Sequence, residues 1–250
     1  MYDSPERQRI KEQEQSALCA FAAEHTNARF WISWLEEQGF CEYKLCLKLS
    51  TQGWVTSPDS DVITNGIETH AQIERAHNAV AEQFDSIEDI MAEAISGNTV
   101  STTEVPISDG ILSGKVDGLI LSKDSTGTDI AYLIDNKTPP RIAGREPFYS
   151  HRRQALGYAV AWAQSNPYYL HCGHIYAVIR NKFHQPREDL SGGWLWKTRL
   201  TSESIRDITE TVDWVRTILL NPLLARDTPY KATKCPQCDF HKTGICDRDS

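Results

Sequence analysis

Residues 114–137 read GKVDGLILSKDSTGTDIAYLIDNK, and this stretch limits the possible folds more than any other. Two apolar, β-branched runs flank the turn-forming STGT (125–128), so the chain is expected to double back as a hairpin. EVPISDGILSG, just upstream, has the same texture and adds a further strand. The second run ends in Asp135-Asn136-Lys137, and Pro139 and Pro140 then stop it, because proline cannot donate to a strand ladder. The flanks change period. Residues 5–38 are expected as helix, with a Trp-rich portion from Phe30 to Trp34. Residues 67–96 form a stronger helical pattern, with Val80, Phe84, Ile87, Met91 and Ile95 at helical spacing and SGN as the stop. Residues 150–165 return to helix, 174–180 and 193–200 read as strands, and a helix over 201–220 starts near Thr201 or Ser202 with Glu203 behind it. This order points to an α/β fold: a mixed sheet flanked by helices.

The chain has 250 residues and 40% hydrophobic residues, which fits one domain with a real core. Its expected layout is a mainly helical part over 1–96, a core over 100–200, and a C-terminal helix with a Cys-rich tail over 201–250. No apolar run is long enough to span a bilayer. The start, MYDSPERQRIKEQEQ, is charged and lacks the apolar region of a secretory leader, so a cytoplasmic location is expected. The formal net charge of −8 argues against a non-specific coat for nucleic acid, though not against a local basic site.

Two strand ends carry acids. If the strands of Asp117 and Asp135 are neighbours, the two carboxylates meet at one edge of the sheet. Two such groups repel unless a cation neutralises them, and a hard divalent ion such as Mg²⁺ or Mn²⁺ prefers oxygen ligands. Lys137 stands two residues after Asp135, on the same face of a strand, where it can hold or activate a water. A Lewis acid, a water and a positive charge are what phosphodiester hydrolysis needs. Alone, an Asp-x-Lys at a strand end is as readily a solvated turn. Further candidates are His70, in the first turns of the 67–96 helix, and Gln154 and Tyr158, four apart on one helix face. Tyr158 could equally be core packing. Between Lys137 and Arg153 the chain carries Arg141, Arg145, Arg152 and Arg153 against one acid, Glu146. Such a basic stretch would hold DNA phosphates, or else be a solvated loop.

The ordered set resembles the RecB-like branch of the PD-(D/E)XK nucleases. Gly66 and His70 fit its G-x-x-x-H helix, Gly114 to Asp117 its G-x-x-D strand, Asp135 to Lys137 its D-x-K strand, and Gln154 and Tyr158 its Q-x-x-x-Y helix. The resemblance spans residues 66–158 and implies a restriction-endonuclease-like core. It further implies a metal cradle of His70, Asp117, Asp135 and the backbone carbonyl of Asn136, with Lys137 orienting the attacking water. Gln154 and Tyr158 would line the site.

Seven cysteines, an odd number, make a disulfide framework unlikely to organise this chain. Cys235, Cys238 and Cys246 cluster as C-x₂-C-x₇-C, which reads as metal ligation with a fourth ligand to be found. His241 would complete a local Zn²⁺ site; a distant cysteine would complete a Cys₄ iron–sulfur site. A four-cysteine subset of the RecB-like nucleases, which includes the AddB-type enzymes and a CRISPR-adaptation exonuclease, binds a [4Fe–4S] cluster through one early and three late cysteines. That resemblance implies Cys41 as the early ligand, with Cys46 and Cys19 as rivals, since CEYKLCL departs from the family's C-P-R-K-like stretch. Cys172 is expected as a semi-buried thiol. The implied activity is a metal-dependent DNA exonuclease acting on single-stranded ends. The implied context is the CRISPR integrase complex; a phage or repair exonuclease and a non-catalytic DNA-binding module are the alternatives. A zinc-ribbon interaction protein is a third possibility. No P-loop motif is present.

Overall fold

A computed structural model describes residues 30–37, 41–50, 87–137, 147–181, 194–230, 232–244 and 246. Among these, six strands form one mixed sheet. They are β1 (Phe30–Trp31), β2 (Val100–Ser108), β3 (Leu112–Lys123), β4 (Asp129–Lys137), β5 (His174–Asn181) and β6 (Trp194–Arg199). The described helices are α1 (Glu42–Ser50), α2 (Ile87–Ile95), α3 (Tyr149–Ser165), α4 (Pro167–Cys172), α5 (Ser202–Leu220), α6 (Pro222–Asp227) and α7 (Asp239–Lys242). Two 3-10 segments, Ile32–Glu37 and Ala232–Gln237, complete the set. The expected α/β class and mixed sheet are borne out. No described helix is long and apolar enough to cross a membrane.

The hairpin forms as its sequence requires. Asp124 Oδ1 accepts from the backbone N–H groups of Thr126 and Thr128 at 2.8 and 2.9 Å, and Gly127 takes φ 84°. The turn thus uses an acceptor and a residue that tolerates positive φ. β3 and β4 then pair antiparallel from Lys123↔Asp129 to Gly118↔Ile134. β2 and β3 are separate strands, where the sequence pattern suggested one run over EVPISDGILSG. Asp109 Oδ1 accepts from Ile111 and Leu112 N–H and breaks the run at Asp-Gly.

β3 forks. One edge pairs with β2 along Ser113–Leu121. The other pairs with β1 at Leu112–Ser113 and with β4 only from Gly118 onward. Beyond the fork β4 stays with β5, in parallel, through Asp135↔Ile179 and Lys137↔Asn181.

The expected helix over 5–38 needs correction where it is described. Phe30 and Trp31 are a strand, and a 3-10 turn follows. Aromatic residues favour a pleated surface, and two residues are too few to show a period. Residues 67–86 lie outside the described residues; Ile87–Ile95 is helical as expected, and Gly97 ends the helix at φ 97°.

The main core lies between the sheet and α3, with Leu119, Leu133, Ala177, Ile179 and Trp162 all buried. The 3-10 segment Ile32–Glu37 docks here through two glycines. A Cβ on Gly157 would come within 2.6 Å of Leu35 and 3.0 Å of Ile32. A Cβ on Gly114 would come within 2.9 Å of the Tyr158 ring. The glycine three residues before Asp117 therefore makes room for Tyr158.

Candidate active site

The fork gathers the acids. Asp117 leaves β3 just past its last paired residue with β4, and its Oδ2 accepts from Asn136 N–H at 2.6 Å. Asp135 and Lys137 alternate with Ile134 and Asn136 along β4, so they face α3 together. Lys137 Nζ lies beside three oxygens: Gln154 Oε1 at 2.5 Å, Asp135 Oδ2 at 3.2 Å and Glu36 Oε2 at 3.4 Å. The structure thus brings together Asp117, Asp135, Asn136, Lys137 and Gln154. Tyr158, one turn further along α3, is buried at the same place. It touches Gly114, so its ring serves as packing, and its hydroxyl belongs to the acids' surroundings.

Electrostatics follow from this enclosure. Burial pushes Asp117 up to about 6, against the Asn136 N–H that favours its charged form, and Glu104 adds repulsion. Burial likewise pushes Asp135 up to about 6, opposed by Lys137 and reinforced by Asp117. The two acids titrate as a pair. Asp135 Oδ2 is buried without a hydrogen-bond partner, so its approach to Lys137 is a charge contact rather than an aligned hydrogen bond. Burial works against the Lys137 ammonium, but Asp135 and Glu36 outweigh it and hold its pKa above the ordinary lysine value. Burial raises Tyr158 far enough that its hydroxyl stays protonated. Glu104 stands opposite Asp117 on β2 in a left-handed conformation, φ 56°, which costs energy for any side-chain-bearing residue.

Three participants are absent from the sequence reading. Glu36, at the end of the 3-10 segment, bridges Lys137 and His151, whose Nε2 lies 3.2 Å from Glu36 Oε1. Burial opposes its ionisation, but the His151 hydrogen bond and the Lys137 charge together draw its pKa down to about 2. Arg180, on the opposite face of β5, is buried and donates to Asn136 Oδ1 at 2.9 Å. Burial lowers its pKa to about 10, leaving it charged at neutral pH. An arginine ending an otherwise apolar strand was the only signal for it.

His70, Cys19, Arg141 and Arg145 lie outside the described residues. Arg152 and Arg153 face the protein. Arg152 Nε donates to Pro147 O at 3.1 Å and its guanidinium lies over Trp196; Arg153 stacks on Tyr149 and lies 3.9 Å from Asp207. Among the described residues, no three His, Cys, Asp or Glu side chains stand close enough together to hold a metal ion.

No protein-family model and no curated protein matches the chain. Solved structures similar to it at low identity include the following two. The crystal structure of SSO0001 has 16% identity and a TM-score of 0.40, covering 97% of this chain and 98% of that one. The crystal structure of a "Putative exonuclease" from Eubacterium rectale has 12% identity and a TM-score of 0.44, covering 86% and 88%.

At the C-terminus, Cys238 and Cys246 pack with Phe240 against Tyr43 and Leu47 of α1, the helix that begins directly after Cys41. His241 Nδ1 is buried with no hydrogen-bond partner among the described residues. Cys46 is a different case. It is fully buried in the main core, its Sγ–H points at Ile218 O at 3.7 Å, and burial pushes its thiol up to about 12. Cys46 thus belongs to the main core, apart from the small cluster that holds Cys238 and Cys246. Cys172 is exposed at the end of α4, not semi-buried. Under native conditions iodoacetamide is therefore expected to label Cys172 and leave Cys46 unmodified. Mass spectrometry of the digest reads both sites, and modified Cys46 in folded protein would contradict this placement.

Proposed function

We propose that the chain is a metal-dependent nuclease that hydrolyses DNA phosphodiesters, working as an exonuclease on single-stranded ends. The observation that carries this is the meeting of Asp117 and Asp135 at the fork of β3 and β4, with the Lys137 ammonium beside them. Asp117, Asp135, the Asn136 carbonyl and His70 would hold Mg²⁺ or Mn²⁺. The residues present fit such an ion: an unpartnered buried carboxylate oxygen and two carboxyls pushed upward both describe acids short of positive charge. Bound there, the ion would supply Lewis acidity and a water acidified toward neutrality.

The chain's own residues do the rest. With its pKa raised, Lys137 is an ammonium at neutral pH and donates rather than accepts protons. It therefore orients the water or a phosphate oxygen and does not act as the base. Gln154 and Glu36 already accept from its N–H groups and the Asp135 charge lies beside it, so a substrate contact displaces one of these partners. Glu36, at 3.4 Å the longest, is the one to yield, and His151 keeps it paired afterwards. Gln154 fixes the lysine's position by accepting from it, and Tyr158, hydrogen-bonded to Gln154, closes the site from α3.

End-labelled single- and double-stranded DNA, incubated with Mn²⁺, Mg²⁺ or EDTA, tests the reading. Cleavage is expected with either metal and not with EDTA. Lys137→Ala is expected to slow it by roughly 10² to 10³-fold, the usual effect of losing one charge-stabilising donor. A folded, metal-supplied protein that cuts nothing would leave the DNA-binding module as the better reading. The resemblance extends the proposal to trimming of spacer precursors beside the CRISPR integrase complex, with a phage or recombination exonuclease as the rival; an integrase gene next door favours the first.

Cys41, Cys235, Cys238 and Cys246 are proposed to hold a [4Fe–4S] cluster that staples the tail to α1. The unpartnered His241 Nδ1 favours a second reading, Zn²⁺ on Cys235, Cys238, His241 and Cys246; either set would have to draw closer than it stands in this structure to close on a metal. Iron with acid-labile sulfide in anaerobically purified protein supports the cluster, and zinc alone supports the other.

A further inference from the structure

Arg180 is a cation near the end of a mainly apolar strand, and it is 4% exposed. A charge held away from water is costly unless its surroundings are built for it. β5 carries it between two ladders. On one side it stands in parallel register with Asn136 of β4. On the other, the pairing with β6 shifts register between Ile179 and Arg180. Such an irregularity re-aims a side chain. The Arg180 Nε–H points to β4 and donates to Asn136 Oδ1 at 2.9 Å.

Asn136 stands between Asp135 and Lys137 and is itself buried. Those two neighbours face α3, so the Asn136 side chain lies on the other face of the sheet, with Arg180. Its backbone N–H, in turn, donates to Asp117 Oδ2 at 2.6 Å. β3 pairs with β4 no further than Gly118↔Ile134, so the ladder to β3 has ended before Asn136. β5 and the Arg180 guanidinium hold this residue from the other side. Asn136 thus receives a hydrogen bond from a buried cation and gives one to an acid of the site. Charge acts in the same direction. Burial raises the Asp117 carboxyl, and Arg180 is among the cations that offset it. Arginine suits the place, because its guanidinium keeps its proton when buried and presents a planar fork of donors.

We infer that Arg180 is a positioning residue for the metal: through the Asn136 side chain it sets the backbone N–H that aims the Asp117 carboxylate, from the face of the sheet opposite Lys137. This rests on the nuclease reading above and adds what fixes the geometry of the acids.

The test titrates Mn²⁺ into the full-length protein without DNA. Calorimetry and the loss of the free-ion EPR signal read binding, and Asp135→Asn marks which bound ion belongs to the acids. Arg180→Met, of similar length and uncharged, is expected to weaken that ion's binding by about 10 to 100-fold, the usual effect of losing a group that orients a ligand. Arg180→Lys, which keeps a charge and a donor, is expected to fall between Arg180→Met and wild type. Asn136→Leu is expected to weaken binding as Arg180→Met does, and the double variant no more than the worse single, because the two side chains act as one unit. Cleavage of a labelled single strand runs alongside. In Arg180→Met the Mn²⁺ concentration for half-maximal cutting is expected to rise by the same factor as the binding constant, so that added Mn²⁺ recovers much of the rate. Circular dichroism checks folding, and Arg180→Lys carries the comparison if Arg180→Met does not fold. If wild type cuts and the Arg180 variants bind Mn²⁺ like wild type, the inference is overturned and the nuclease reading stands. It is overturned too if the rate falls equally at every Mn²⁺ concentration, or if the single losses add in the double variant. If wild type binds Mn²⁺ at the acids, the variants lose it and no protein cuts DNA, the positioning role stands and the nuclease reading falls. If wild type binds no Mn²⁺ at the acids, both fall.

Discussion

Asp135→Asn is expected to abolish metal-dependent cleavage and, in the same protein, to raise the unfolding temperature without metal. The two effects share one cause. Burial pushes the Asp135 carboxyl up to about 6 from an ordinary 3.8. The folded state therefore binds the proton more tightly than the unfolded chain does. Between about pH 4 and pH 6 the folded protein holds more protons, so stability falls as pH rises through that window and stays reduced above it. The amide is isosteric and never ionises, so the variant escapes this penalty. The gain shows as a higher unfolding temperature than wild type at neutral pH. Calorimetry of both proteins in EDTA from acid to neutral pH measures it. The wild-type curve should drop across the window and the variant's should drop less. A variant no more stable than wild type at neutral pH would mean that the ionised carboxylate is not disfavoured where it sits.

Gly157→Leu is expected to cost about 3 kcal/mol of stability and most of the cleavage activity. Even a single Cβ at this position would lie 2.6 Å from Leu35 and 3.0 Å from Ile32, both of them fully buried. A leucine side chain has no space there, and overpacking of this kind typically costs a few kcal/mol. The 3-10 segment must move off α3, and Glu36 moves with it, away from Lys137 and His151. Gly157→Ala separates packing from placement: alanine gains about 1 kcal/mol of helix propensity, offset by a clash with the flexible end of Leu35. It is expected to be close to neutral. Urea unfolding and cleavage rates on the same samples decide the matter. An unchanged urea midpoint for Gly157→Leu would show that Ile32–Glu37 is not seated against α3.

What the sequence made legible was local. The hairpin over 114–137 was readable because alternation and turn chemistry both lie within a few residues of each other. Asp117 and Asp135 were placed near one another by that hairpin alone. Glu36 was not readable. It is 101 residues from Lys137, and its segment resembled the end of a long helix until Phe30 and Trp31 proved to be an edge strand. Arg180 was hidden for another reason: its partner Asn136 is set by parallel register between β4 and β5, which no local pattern encodes. Cys46 could be assigned only by burial, since spacing treats a core thiol and a ligand thiol alike. Arg152 and Arg153 looked like a DNA-facing stretch because charge is visible in a sequence and its direction is not.

The turn at Asp124–Thr128 lies at the far end of β4 from the acids, roughly 20 Å away at about 3.3 Å per residue. It nonetheless acts as the gauge of the site. Side chains alternate along a strand, so a one-residue slip between β3 and β4 turns Asp135 and Lys137 to the other face and brings Ile134 and Asn136 to theirs. Deleting one residue of that turn would leave every functional side chain in the protein but turn Asp135 and Lys137 away from Asp117 and Gln154. Sequence drift at the turn is thus bounded in length as well as by the acceptor at Asp124 and the positive φ of Gly127.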